Sequence, residues 1–217
     1  GTNPKSMIPI VKRFFKRFTG KMRHYYILNS KLNKFNIAKI TRPVKKIKNI
    51  ELNYKLKLVK NALDLKKNFK KKLKFKNFPF KEISYINRRY FQHPIYKYKL
   101  YLIINHSGKS NSFIVTRDIK FKSDKILSIV DFIGVEKDLS KIGYALKDIM
   151  EKGNYEYVDL LCANIREDFL FKSNFILKKQ NDKNIIPIYF QPLVRKNVQI
   201  WYESSIENLK LFKADAD

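Results

Sequence analysis

The chain has 217 residues, 44% hydrophobic and 14% aromatic, which is enough to bury a substantial core and excludes disorder throughout. Its formal net charge is +28, and its single cysteine, Cys162, excludes an internal disulfide framework and a multi-cysteine zinc site, so no metal is expected. No run of about 18 apolar residues demands membrane insertion and no apolar signal stretch opens the chain, so a cytoplasmic location is the expectation.

The charge is unevenly placed. Residues 1–80 carry 24 Lys+Arg against 2 Asp+Glu, a net +22, whereas residues 81–217 carry 23 against 17, a net +6. Lys outnumbers Arg 38 to 9, and Asn, Ile, Phe and Tyr abound, the pattern that an AT-rich genome imposes through codon choice. Arg is the residue that reads bases and phosphates bidentately, so nucleic acid is not expected as the main partner.

In chain order, Asn3-Pro4 is a cap followed by a helix-starting proline, and residues 3–18 continue amphipathically as a short helix. Residues 23–28, RHYYIL, read as a strand. A helix is expected within 53–72, with KNFKKKLKFK, residues 67–76, as a solvated linker or its continuation. Strands at 96–104 and 112–117 flank NHSGKSN, a natural hairpin connection. A mostly apolar strand at 126–133 precedes a helix at 138–152 that stops at Gly153. Residues 155–163 read as another buried strand, 165–173 as a short helix, and 175–179 and 198–203 as the last strands. This order gives an α/β or α+β class, a mixed sheet with helices on its faces.

Residues 125–203 resemble the second half of a GNAT superfamily acyltransferase. The residues that carry the resemblance are Lys141-Ile142-Gly143-Tyr144-Ala145-Leu146, similar to the family's phosphate-binding loop, and Asn164 followed by FLFKSNF, similar to its short helix after the fifth strand. Lys141 stands where the family has a glycine and Asp138 where it has Gln or Arg. Asn174 replaces another glycine, tolerable because Asn also enters left-handed turns. Neither Leu170 nor Phe171 supplies the family's tyrosine hydroxyl. Residues 3–15 repeat the layout of 164–175, so the chain is similar to a tandem GNAT protein of bacterial surface polysaccharide synthesis. On this reading 1–38 is the tail of a first domain, 39–80 a basic linker and helical segment, and 81–217 a GNAT-like domain with a mostly antiparallel twisted sheet.

The resemblance implies an acyl-CoA-dependent N-acyltransferase with acetyl-CoA or another acyl-CoA as co-substrate and an amine acceptor, such as a nucleotide-linked amino sugar. The basic charge admits peripheral contact with an anionic membrane, and a homodimer is a further candidate partner. It implies cofactor contacts at Ile129, Val130 and Phe132 on a splayed strand, at Lys137, Lys141, Ile142 and Gly143 in the loop, and at Asn164 and Phe171. A general base must take a proton from the amine, and Asp131, a carboxylate within an apolar strand, is the candidate; alternatively it is a structural carboxylate paired with Arg117 or a backbone amide. Cys162 and His93 are the other catalytic candidates, each alternatively a structural residue. Arg88, Arg89 and Tyr98 are candidates for holding an anionic acceptor. Two other readings stay open: a catalytically degenerate GNAT-like binding module, and a basic RNA- or anionic-surface-binding protein acting through residues 31–77.

Overall fold

The β-branched and aromatic runs assemble into one sheet in the computed structural model, which describes residues 3, 5–41, 54–69, 80–105, 107–108 and 110–215. Among these residues the strands are β1 (Phe18–Leu28), β2 (Tyr54–Val59), β3 (Tyr98–Asn105), β4 (Ser110–Phe121), β5 (Asp124–Ile133), β6 (Tyr157–Ala163), β7 (Ile176–Leu177), β8 (Ile200–Ser204) and β9 (Leu211–Phe212). Their order is β2-β3-β4-β5-β6-β1-β7, with β8 on β1 and β9 on β6. Only β5 and β6 run parallel; the other pairs are antiparallel. The helices are α1 (Met7–Phe15), α2 (Ala62–Asn68), α3 (Ile83–Ile86), α4 (Gly143–Lys152) and α5 (Glu167–Lys172); α3 continues as a π-helical turn, Asn87–Phe91. The class is therefore the expected one, a mixed and mostly antiparallel sheet flanked by helices.

Successive strand residues face opposite sides, so each strand contributes to two cores. Ile103, Ile114, Leu127 and Ile129 pack under α4 and α5 with Leu146, Met150 and Leu170. On the other face Leu100, Val115 and Val130 meet Leu65 of α2, Ile86 of α3 and Tyr90. A third cluster joins Tyr26, Ile119, Ile126 and Tyr157 to Ile37, Ala38 and Ile186. The buried Glu156 carboxylate fixes that crossing segment by accepting the backbone N–H groups of Asn36, Ile37 and Ala38 at 2.6–3.1 Å.

Two expectations are corrected. The sheet does not divide at residue 38: β1 lies inside it, antiparallel to β6 from Arg23 to Leu28, and starts five residues earlier than the RHYYIL run. Its start, Phe18–Met22, pairs instead with β8. The segment 39–80 is not linker and helix alone, because Tyr54–Val59 forms the edge strand β2, paired with β3 along its whole length. Among the described residues of that segment, Ala62–Asn68 alone is helical, started by Asn61, whose side chain accepts the Asp64 N–H at 2.9 Å. Pro4 and residues 42–53 and 70–79, including most of KNFKKKLKFK, lie outside the described residues.

Candidate functional site

The central irregularity of the sheet lies where its two parallel strands meet. Val115 faces Asp131 and Thr116 faces Ile129, which leaves Val130 as an extra residue, a bulge that bends β5. β5 and β6 pair over three residues, Leu127–Ile129 against Val158–Leu160, and then separate. The chain itself occupies the gap. Phe212 and Leu211 pair with Cys162 and Ala163 of β6, the Phe212 ring lies 6.0 Å from that of Phe132, and Ala214 packs with Val130 and Ile133. Ile129, Val130 and Phe132, expected to offer backbone to a cofactor, are at most 7% exposed.

Asp131 anchors this filler. Its carboxylate receives Lys81 Nζ at 2.6 Å and the Tyr90 hydroxyl at 2.5 Å, and Lys81 also contacts Asp215 at 2.7 Å. Burial pushes the Asp131 pKa up to about 6, against the opposing pull of Lys81. Burial would depress Lys81, but the two carboxylates outweigh it and hold its pKa above the usual lysine value. Asp131 is thus ionised and paired at neutral pH. Of the two structural alternatives, the backbone amide is present, since the Phe132 N–H donates to Asp131 at 2.8 Å, whereas the ionic partner is Lys81 and not Arg117, whose guanidinium lies over the Tyr96 ring, 4.3 Å from its centroid.

The loop after β5 is tied down from within. Gly134 has φ +140°, and an added Cβ would lie 2.3 Å from the Ser112 hydroxyl oxygen, so this turn requires glycine. Ser112 Oγ donates to Asp138 at 2.5 Å and accepts the Val135 N–H at 2.8 Å. Asp138 therefore fastens the loop to β4. A 3₁₀ turn, Glu136–Lys141, then leads into α4. Gly143 is buried, and a Cβ there would lie 2.5 Å from the Ser173 carbonyl oxygen. Its glycine serves helix-to-helix packing, not approach of a ligand to the backbone. Ile142 is a core residue, Lys141 lies over the Tyr54 ring, and Lys137 is exposed.

The remaining sequence candidates are dispersed. Cys162 is buried, and burial pushes its thiol pKa well above the usual range, so it is no nucleophile here. His93 Nδ1 accepts the N–H groups of Ile95 and Tyr96, a local turn device. Its ring packs on Tyr98, and Tyr98 on Tyr90, which links them to Asp131 through an aromatic chain. Arg88 is exposed, and Arg89 donates to the Ala214 carbonyl at 3.2 Å, so it holds the filler and no acceptor. Asn164 donates to the Tyr202 hydroxyl and the Leu209 carbonyl. Phe171 is 47% exposed beside Tyr25, whose hydroxyl donates to Glu167 at 2.9 Å. Asn174 has φ 63°, the left-handed conformation expected of a glycine substitute.

Sequence reading missed Lys81 and Tyr90, the partners that lie far from Asp131 along the chain, and Asp215, the second carboxylate on Lys81. It also missed a buried His24–Asp159 pair, 2.9 Å apart, that bridges β1 and β6. Burial depresses the His24 pKa; for Asp159 the opposite effect of burial is outweighed by its hydrogen bond from His24. Nearby, burial lowers the Lys178 pKa to about 8. A cavity of about 760 Å³ opens beside β4, lined by residues of 95–99, 117–120 and 188–191 together with Leu161, Ile200 and Lys213.

No family model matches the chain, and no curated protein matches it. Among solved structures it is similar to a functionally unknown conserved protein from Staphylococcus epidermidis, with a TM-score of 0.44 and 11% identity. The match covers 82% of this chain and 66% of that one, so the chain spans just under two thirds of its neighbour's length.

Proposed function

We propose that this chain is a binding module built on a GNAT-like sheet, in which the place for a CoA thioester has been closed by the chain itself. The observation that carries this reading is the filling of the β5–β6 divergence by Leu211–Asp215, locked through Lys81 to Asp131. The residues present do not fit the CoA group: the strand backbone it would pair with is covered, Gly143 is taken up by Ser173, and Asp138 places a carboxylate in the loop where a pyrophosphate would need amides. No helix among the described residues is long and apolar enough to cross a membrane.

A second reading, the acyl-CoA-dependent N-acyltransferase acting on an amino sugar or related surface-polysaccharide precursor, is favoured by the Val130 bulge and by Asp131, whose raised pKa suits a general base. It requires residues 211–215 to leave the divergence. Titration of acetyl-CoA into the intact chain and into a Phe212→Ala variant separates the two. The module reading expects no acetyl-CoA binding that Phe212→Ala strengthens. The transferase reading expects binding that tightens at least about tenfold in the variant, since destabilising the occluding segment raises the competent fraction.

A further inference from the structure

The cavity beside β4 has an electrostatic character that the sheet does not need. Its lining carries Lys97, Lys99, Arg117, Lys120 and Lys213 against one carboxylate, Asp118, a net of 5 − 1 = +4. Lys99 neutralises Asp118 at 2.7 Å, and the Tyr155 hydroxyl donates to the same carboxylate. Lys97, Arg117, Lys120 and Lys213 form no ion pair among the described residues. Lys213 also acts on the buried Asp159 carboxylate, but the lining as a whole keeps an excess of positive charge, and a concave, partly shielded surface of one sign attracts an anion.

The rim adds a second, independent feature. Tyr96 and Tyr189 are 44% and 47% exposed at the cavity, and Ile95 beside them is 77% exposed. The Tyr96 ring is packed against His93 and Arg117, whereas the Tyr189 ring, left in water beside a concave, charged site, offers a surface on which a planar group stacks. The Arg117 guanidinium, already over Tyr96, presents both charge and a stacking plane. The volume, about 760 Å³, falls within the range of pockets that hold drug-sized ligands and exceeds what a lone phosphate fills.

We propose that this cavity binds a ligand of the nucleoside diphosphate class, its phosphates held by Lys97, Arg117, Lys120 and Lys213 and its base stacked at Tyr189. The proposal deepens the reading of the chain as a binding module by naming its ligand class. CoA itself carries an adenosine diphosphate, so the two sites are told apart by Phe212→Ala, which alters the divergence and removes no residue lining this cavity. Guanidinium and ammonium groups gain most from phosphate when they act together, and Arg contributes bidentate contacts that Lys cannot.

The test is calorimetric titration of UDP and ADP, and separately of inorganic pyrophosphate, into the intact chain at about 150 mM salt, where diffuse surface attraction is screened beyond roughly 8 Å. Saturable one-site binding of a nucleoside diphosphate, at least tenfold tighter than pyrophosphate, is expected. An Arg117→Gln/Lys213→Gln variant should weaken it at least tenfold, whereas a Lys12→Gln/Lys16→Gln variant, which removes the same charge from α1 and its end, should change it less than twofold. Tyr189→Leu should lower nucleotide affinity and leave pyrophosphate unchanged. Equal losses in the two charge variants would mean that the +28 surface attracts anions diffusely, and would overturn the proposal. No binding, or equal affinity for UDP and pyrophosphate, would overturn it as well. Matching urea midpoints for the variants would establish that each remains folded.

Discussion

Asp131→Asn isolates the electrostatics of the filled divergence. The substitution keeps the side-chain shape and an acceptor oxygen for the Tyr90 hydroxyl, and it removes a carboxylate that is 0% exposed and contacts Lys81 at 2.6 Å. The Asp131 pKa is raised from 3.8 to about 6, chiefly by burial. A raised folded-state value means that the folded protein holds a proton more tightly than the unfolded one between these limits. The stabilising contribution is therefore complete below about pH 4 and is lost as pH rises through about 6. At about 1.4 kcal/mol per pH unit, two units correspond to roughly 3 kcal/mol. His24 works in the opposite direction in an overlapping window, since its depressed pKa gives stability present above pH 6.5 and lost on acidification. Comparing the variant with the parent at each pH cancels His24. Urea unfolding of both proteins from pH 4 to pH 7 should show the variant gaining about 2–3 kcal/mol on the parent across that range. A difference that stays constant within about 0.5 kcal/mol would refute the claim that burial outweighs the pull of Lys81 in setting the Asp131 pKa.

Three other substitutions or probes test the surrounding structure. Gly143→Ala would stabilise an ordinary helix by about 0.5–1 kcal/mol, but the Ser173 carbonyl at 2.5 Å from the added Cβ should reverse the sign to a loss of about 1–3 kcal/mol in urea unfolding. A more stable variant would contradict the close contact. Glu156→Ala leaves the N–H groups of Asn36, Ile37 and Ala38 without their acceptor and should cost about 3 kcal/mol or more, whereas a loss below 1 kcal/mol would show that the segment is held otherwise. Cys162 should resist a thiol reagent in the folded protein and react fully in urea; stoichiometric labelling of the native chain would contradict its burial.

The well-read part of the sequence lies between residues 98 and 163. There the apolar runs of β3 to β6 and the stop at Gly153 are local signals, and the structure places β5, α4 and β6 within a few residues of expectation. The edge strand was misread for a physical reason. Tyr54–Val59 alternates lysine with apolar residues at period two, the pattern of a half-solvated edge strand, but its lysines merge with the basic stretch that follows and suggest a helix. The candidate site was legible only in part. Asp131 announced itself as a carboxylate within an apolar strand, whereas Lys81 looked like one more lysine in a basic region, and it is paired only because the fold brings position 81 to 131 and 215. β9, two residues long, has no periodicity to detect, yet it decides what the divergence can hold. His24 and Asp159 likewise meet only through the register of β1 on β6.

The measurement that bears most directly on the central claim is calorimetric titration of acetyl-CoA into the intact chain, with polyphosphate as the control for its charge and Phe212→Ala alongside. The account predicts no acetyl-CoA binding that Phe212→Ala tightens, because Leu211–Asp215 fills the divergence and Asp138 and Gly143 leave no phosphate cradle there. Saturable binding that polyphosphate does not displace, tightening at least about tenfold when Phe212 is removed, would contradict it and establish the filler as a displaceable occupant of a working cofactor site.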